Sequence, residues 1–177
     1  MKATGIVRRI DDLGRVVIPK EIRRTMRIRE GDPLEIFTNA GGEVIFKKYS
    51  PVGEMSGFAA QYAEAMTGGT GLSVIICDRD HCIAAAGISK KEVLERRVTP
   101  ALEEIIESRR TAVFNGGKDV MAIEGIGRRI CVASPIISAG DVGGAVVLLE
   151  NESTTTPSDS DIKLADVAAG FLANQIQ

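Results

Sequence analysis

Hydrophobic and polar positions alternate with period two at the start of the chain and switch to helical periods later. In "GIVRRID", Ile6, Arg8 and Ile10 fall on one strand face and Val7 and Arg9 on the other. "GRVVI" follows a turn at Asp12 to Gly14 and reads as a second strand. Pro19 fixes φ and lacks an N–H, so it ends that strand and suits the first turn of a helix. "PLEIFT" and "EVIFKKY" flank "NAGG" and predict a β-hairpin. Four short strands and one two-turn helix in about fifty residues bury little surface alone. An obligate dimer with strands shared between chains is therefore expected.

The character changes at Tyr49–Gly57, where Pro51, Gly53 and Gly57 cluster with two serines. Residues 51–57 are taken as a linker between a first domain, 1–50, and a second, 58–177. In the second, Phe58, Tyr62 and Met66 recur at helical spacing. "GLSVIIC" and "CIAAAG" predict paired strands around "DRDH". "SKKEVLERRV" and "TPALEEIIES" predict helices, the latter with Thr99 as N-cap, Pro100 at the first helical position and Glu103 close behind. "TAVFN", "RRICVASPII" and "GGAVVLLE" predict further strands, and a last helix starts near "TPSDSD". On that helix Leu164, Ala168, Phe171 and Leu172 form an apolar face, while Ala165, Ala169 and Gly170 permit close approach. "GGTG", Gly68–Gly71, and "STTT", Ser153–Thr156, read as a linker and a polar surface connection. The fold class expected is α+β in two domains.

Charge sharpens the division. Residues 1–50 hold 11 Lys and Arg against 7 Asp and Glu, and the remaining residues hold 11 against 17. The overall charge of −2 hides a basic module joined to an acidic one. In "KEIRRTMRI", Lys20, Arg23, Arg24 and Arg27 lie at i, i+3, i+4 and i+7, which predicts one basic helical face, with Ile22 and Met26 turned inward. Arg8, Arg9 and Arg15 stand on neighbouring strands. A solvated face is one reading; phosphate contact is the other, because guanidinium groups fork onto phosphate oxygens and displace counterions. No run of about 18 apolar residues occurs, and Met1 leads straight into a polar-interrupted strand, so neither a membrane span nor a signal peptide is expected. Three cysteines without framework spacing fit reduced thiols in a cytoplasm.

The stretch "TGIVRRIDDLGRVVIPKEIRRTMRIREGDPLEIF...VIFKKYSP" resembles the AbrB-type transition-state regulators, whose swapped-hairpin domain forms an interdigitated dimeric β-barrel. The resemblance implies dimeric binding of double-stranded DNA through Arg8, Arg15, Arg23 and Arg24, by shape and flexibility more than a strict base code. Arg9, Lys20 and Arg27 are added from spacing. "ASPIISAGDVGGAVVLLE", with "GLSVIICDRDHCIAAAG" ahead of it, resembles GAF domains, which implies a GAF-like α/β sensor or oligomerisation domain. A head and tail of these kinds together resemble sporulation regulators of endospore-forming bacilli. That resemblance implies activation and repression of late, forespore-specific genes, and tetramer formation through the tails. Phe58, Tyr62, Met66, Leu164, Ala168, Phe171 and Leu172 are the candidate oligomerisation residues, with packing inside one subunit as the alternative.

Other constellations carry less. "CDRDHC" suggests metal or redox chemistry, yet Cys77 and Cys82 bound two strands and His81 is the single histidine, so no metal site is expected. A thiol enzyme using Cys82 or Cys131 is a rival reading, as is an antitoxin-like interaction module built on the same small head. "VFNGGKD" and "EGIGRR" are loops on the ligand side of a GAF fold or plain glycine turns. No cofactor is expected, a small-molecule ligand of the tail stays unspecified, and the absence of Trp argues against a large aromatic cage.

Overall fold

The computed structural model describes residues 4–116, 119–151 and 156–176. The chain divides into two compact units, Met1–Tyr49 and Ser50–Gln177. Gly117 and Lys118 of "VFNGGKD", and Ser153–Thr155 of the expected polar connection, lie outside the described residues.

In the first unit the chain turns sharply at Asp11–Arg15. Asp11 N–H donates to the Arg15 carbonyl, and Gly14 N–H donates to the Asp11 carbonyl (both 3.0 Å). Gly14 sits at φ +75°, a left-handed position that glycine adopts without steric cost. Among the described residues the two arms flanking this turn form no strand ladder, contrary to the expectation of two strands. The reason is physical: within one chain the arms find no partner beyond the turn, and their side chains stay open, with Val7 87% and Ile10 72% exposed. Helix α1 (Lys20–Thr25) follows, then the antiparallel hairpin β1 (Leu34–Thr38) and β2 (Val44–Lys48). Asn39 Oδ1 closes the hairpin loop by accepting from Gly41 N and Glu43 N.

The second unit begins earlier than expected. Ser50 caps α2 (Pro51–Glu54), its hydroxyl accepting from Gly53 N at 3.0 Å, and Val52 is fully buried. The segment taken as a linker is thus part of the core. Helix α3 (Ser56–Thr70) runs through Gly68 and Gly69 and ends in a left-handed Gly71, so "GGTG" closes a helix and does not link domains.

Five strands, β3 (Ser73–Asp78), β4 (Cys82–Ala86), β5 (Ala112–Val113), β6 (Ile130–Ser138) and β7 (Asp141–Leu149), form one antiparallel sheet in the order β4-β3-β7-β6-β5. Its alternating side chains feed two cores. One face packs Val74, Ile76, Val146 and Leu148 under α3 and α6 (Asp159–Gln175). The other packs Ile75, Val147 and Leu149 under α4 (Lys90–Val93) and α5 (Pro100–Ser108). Each fully buried Leu or Ile contributes about 1.5–3 kcal/mol to burial. Thr99 caps α5 as expected, accepting from Leu102 N at 3.2 Å, with Pro100 at the first position. Helix α6 starts in a capping box: Ser158 Oγ accepts from Asp161 N, and Asp161 Oδ2 accepts from Ser158 N.

The helix expected over "SKKEVLERRV" stops after four residues. Glu95 turns left-handed at φ +62°, and its N–H donates to the Cys82 carbonyl while Cys82 N–H donates to the Arg96 carbonyl. Residues 95 and 96 therefore run along the outer edge of β4 instead of coiling. Contact of β3 with β7 depends on Gly144: a Cβ there would overlap the Cys77 carbonyl oxygen.

Candidate nucleic-acid interface

Helix α1 is a single short helix whose first backbone bond runs from Arg23 N to the Pro19 carbonyl at 2.9 Å. Pro19 is the N-cap, one position earlier than the first-turn placement that its sequence suggests. Lys20, Arg23 and Arg24 occupy one face and are exposed. At the far end Ile28 N donates to the Arg23 carbonyl (2.8 Å) and Arg27 N to the Arg24 carbonyl (3.2 Å), a Schellman closure.

Arg27 occupies the left-handed position of that closure, at φ +52°. It has therefore left the helical cylinder and does not extend the Lys20–Arg23–Arg24 face as its spacing predicts. Its carbonyl accepts instead from Lys48 Nζ at 3.0 Å, which ties the helix end to β2. Ile22 is half-buried as expected, whereas Met26 is exposed.

Arg15 is held in the turn. Asp11 Oδ2 accepts from Arg15 Nε at 2.8 Å, while Asp11 Oδ1 accepts from Arg15 N and Leu13 N. The Arg15 N–H, then its guanidinium, hold the Asp11 carboxyl below the usual carboxylate range. Arg8 and Arg9 are exposed on the first arm. Among the described residues, no carboxylate lies within ion-pair distance of Arg8, Arg9, Lys20, Arg23 or Arg24. Five exposed cations without an acidic partner keep their donors available for phosphate oxygens.

The second unit separates the candidate oligomerisation residues into two sets. Met66, Ala168 and Leu172 are buried in the core of their own unit and cannot serve a second copy. The alanines of α6 explain this, since Ala165, Ala168, Ala169 and Ala173 bring the helix close to the sheet. Phe58, Leu164 and Phe171 remain partly exposed, and Tyr62 and Phe171 stack within the chain with ring centroids 5.3 Å apart. Phe58 joins them at 5.7 Å from Phe171. Val167, 64% exposed, completes the stripe and escaped the sequence reading. Its signal was present: Leu164, Val167 and Phe171 are spaced i, i+3, i+7 on the side away from the alanines.

"EGIGRR" contributes Gly125, Ile126, Gly127 and Arg128 to an open groove of about 760 Å³, whose other wall carries Ile88, Glu92 and Arg96. The interior beneath α5 is filled by Val98, Leu102 and Ile106. Cys77 and Cys82 are fully buried, and Cys131 lies on the opposite face of the sheet.

A family model described as Stage V sporulation protein T C-terminal, transcription factor, matches residues 54–177. A second, described as Antidote-toxin recognition MazE, bacterial antitoxin, matches residues 7–53. Stage V sporulation protein T of Bacillus subtilis (strain 168) is 50% identical over 179 residues, covering 100% of this chain and 99% of the relative. Transition state regulatory protein AbrB of the same organism is 59% identical over 51 residues, which are 29% of this chain and 52% of AbrB. The GAF domain of a phosphoenolpyruvate-protein phosphotransferase from Coxiella burnetii is 16% identical with a TM-score of 0.54, covering 69% of this chain and 82% of that one. At that identity the likeness shows the fold of the second unit and nothing more. An AbrB-type head, a GAF-type tail and identity along the full chain make this protein a member of the stage V sporulation protein T family of transcription factors.

Proposed function

We propose that the chain binds double-stranded DNA as a dimer through the exposed face of α1 and the first arm, which carries Arg8 and Arg9. The observation that carries this reading is the set of five exposed cations, Arg8, Arg9, Lys20, Arg23 and Arg24, with no acidic partner among the described residues. Arg15, engaged by Asp11, shapes the turn and contributes less charge to the surface. Bare apolar arms at Val7, Ile10, Leu13 and Val17 support dimerisation, because pairing with the arms of a second copy removes that surface from water. In this reading the protein works in the cytoplasm, as activator and repressor of late, forespore-specific sporulation genes, and the sporulation name of its Bacillus subtilis relative supports that setting.

The exposed stripe of Phe58, Leu164, Val167 and Phe171 is the surface through which two dimers join into a tetramer. The tail has no catalytic role in this reading, and no cofactor enters it. A small molecule sensed by the tail would meet the groove bearing Glu92, Arg96 and Arg128. The MazE match over residues 7–53 favours one second reading, a head that neutralises a toxin protein. Co-purification of a small protein with the full chain, lost on addition of promoter DNA, would support that alternative.

The decisive experiment measures anisotropy of labelled duplex DNA over a salt series, alongside light scattering of the protein. Binding that weakens steeply with salt is expected, together with a tetramer that falls to a dimer on Phe171→Asp. Salt-independent binding, or none, overturns the assignment of the head. An unchanged tetramer in the variant overturns the assignment of the tail.

A further inference from the structure

We propose that Cys77 and Cys82 form a reversible cross-strand disulfide, which makes the tip of the β3–β4 hairpin a redox modification site. The two residues face each other in antiparallel register because of a one-residue irregularity: Ile76 pairs with Ala84 but Cys77 with Cys82, so Ile83 is bulged out. Without the bulge Cys77 would face Ile83. Both side chains consequently enter the same buried cluster.

The backbone pattern sets the spacing. Asp78 N–H donates to the His81 carbonyl at 3.0 Å and closes the turn. The next pair, Cys77 and Cys82, exchanges no such bond, because Cys82 directs its N–H to Arg96 and its carbonyl to Glu95. In a pair of this type the Cα atoms stand about 4.5 Å apart. A disulfide accepts roughly 4.4–6.8 Å. Cys131 lies in the cluster on the other side of the sheet, so the sheet separates it from both.

The chemistry assigns different parts to the two sulfurs. The Cys82 side chain, burial and then the Asp78 carboxylate push the Cys77 thiol well above the ordinary range, so Cys77 waits protonated. With hydrogen peroxide as oxidant, the Cys82 sulfur gives up its proton as it attacks one oxygen, and the O–O bond breaks. The hydroxide released takes up the proton Cys82 had lost, leaving Cys82 as a sulfenic acid and one water. The Cys77 sulfur then attacks Cys82 Sγ, the S–S bond forms and the S–O bond breaks. The departing hydroxide takes the Cys77 proton as the second water. Two thiols and one peroxide thus become one disulfide and two waters.

Both thiols are fully buried, so oxidation waits for the hairpin tip to open and admits only a small oxidant. The tip is also held by the Asp78 carboxylate. Asp78 Oδ1 accepts from Asp80 N (2.7 Å) and His81 N (2.6 Å), while Asp78 Oδ2 accepts from Ser50 Oγ at 2.9 Å. Ser50 is the residue at which the second unit begins. Cys77 stands one position from Asp78, and the chemistry is independent of DNA binding.

The test treats the full-length protein with excess hydrogen peroxide over hours, then unfolds it, alkylates free thiols with iodoacetamide and maps the peptides by mass spectrometry. The expected result is a Cys77–Cys82 linkage seen as a joined peptide pair two hydrogens lighter than the sum of its two free-thiol peptides, Cys131 alkylated throughout, and full recovery of alkylation after dithiothreitol. Cys131→Ser should leave the linkage in place, and Cys82→Ser should abolish it. Three alkylated thiols after treatment overturn the proposal. So does oxidation of Cys77 or Cys82 to a sulfinic acid without a linkage, or a disulfide to Cys131 or to a second chain.

Discussion

Replacing Arg24 by Ala isolates the electrostatic part of DNA binding. Arg24 is exposed on α1, has no ion pair to break, and its side chain supports no neighbour in the core. Each head presents five such cations, so the proposed dimer would offer about ten, and ten phosphate contacts would give a log K against log salt slope of about −9. The variant removes two contacts per dimer, which lowers the slope to about −7 and weakens binding about 60-fold near 0.1 M salt. Anisotropy titrations of one duplex at four or five salt concentrations read both quantities together, and thermal unfolding checks that the fold is untouched. Arg15→Ala is the control with the opposite character: it breaks the Asp11 contact at 2.8 Å, so its loss of affinity should come with a less stable head. An Arg24→Ala protein that binds with the same slope and the same affinity would refute the placement of DNA on this face.

Other perturbations test the frame that holds the tail. Gly144→Ala drives a methyl into the Cys77 carbonyl and against Asp78 Cα, backbone atoms that cannot swing aside, and should cost about 3 kcal/mol; an unchanged melting temperature would contradict the close β3–β7 approach. Thr99→Ala removes the cap on Leu102 N and the hydrogen bond donated to the Met121 carbonyl at 2.6 Å. It should cost about 1–2 kcal/mol in urea unfolding, largely restored by Thr99→Ser. The Cys131 thiol is raised by burial from 9.0 to about 11. Its folded pKa being the higher one, the stability it contributes is complete below pH 9.0 and is lost as pH rises through about 11. Urea midpoints should therefore fall across that window, and Cys131→Ser should flatten the decline without abolishing it, since Cys77 is raised as well.

Most of the tail was legible because its signals are local. Thr99 and Pro100 announce α5, and the apolar runs at Ser73–Asp78 and Asp141–Leu149 announce strands buried on both faces. The errors fell where a non-local partner decides the backbone. "SKKEVLERRV" has helical spacing, but residues 95 and 96 satisfy the outer edge of β4, and those hydrogen bonds outweigh a weak propensity. Gly68 and Gly69 read as a break, yet α3 is held against the sheet through Ala59, Ala63 and Met66 and continues across them. Arg27 has the right spacing for the basic face, and only the Schellman closure, invisible in a period count, takes it away. The facing of Cys77 and Cys82 was hidden for the same reason, because it follows from a bulge that no spacing rule supplies.

The two units differ in how much of their pattern one chain can satisfy. In the tail, the period-two and helical positions meet partners, and the buried faces of α3, α5 and α6 close two cores. In the head, the alternating residues from Ile6 to Val17 have the composition of strands and the exposure of loops. Apolar surface so distributed is stable only when covered, and within its own chain the head supplies no cover beyond one turn and one hairpin. Helix α6 repeats the same logic at a smaller scale. It spends alanine on the face that touches its own sheet and places Leu164, Val167 and Phe171 on the face that does not. Leu172 is the large residue that joins the alanines on the inward face. Leu164, Val167 and Phe171 keep 43%, 64% and 39% of their surface open, and that apolar area is what the tetramer proposed above would cover.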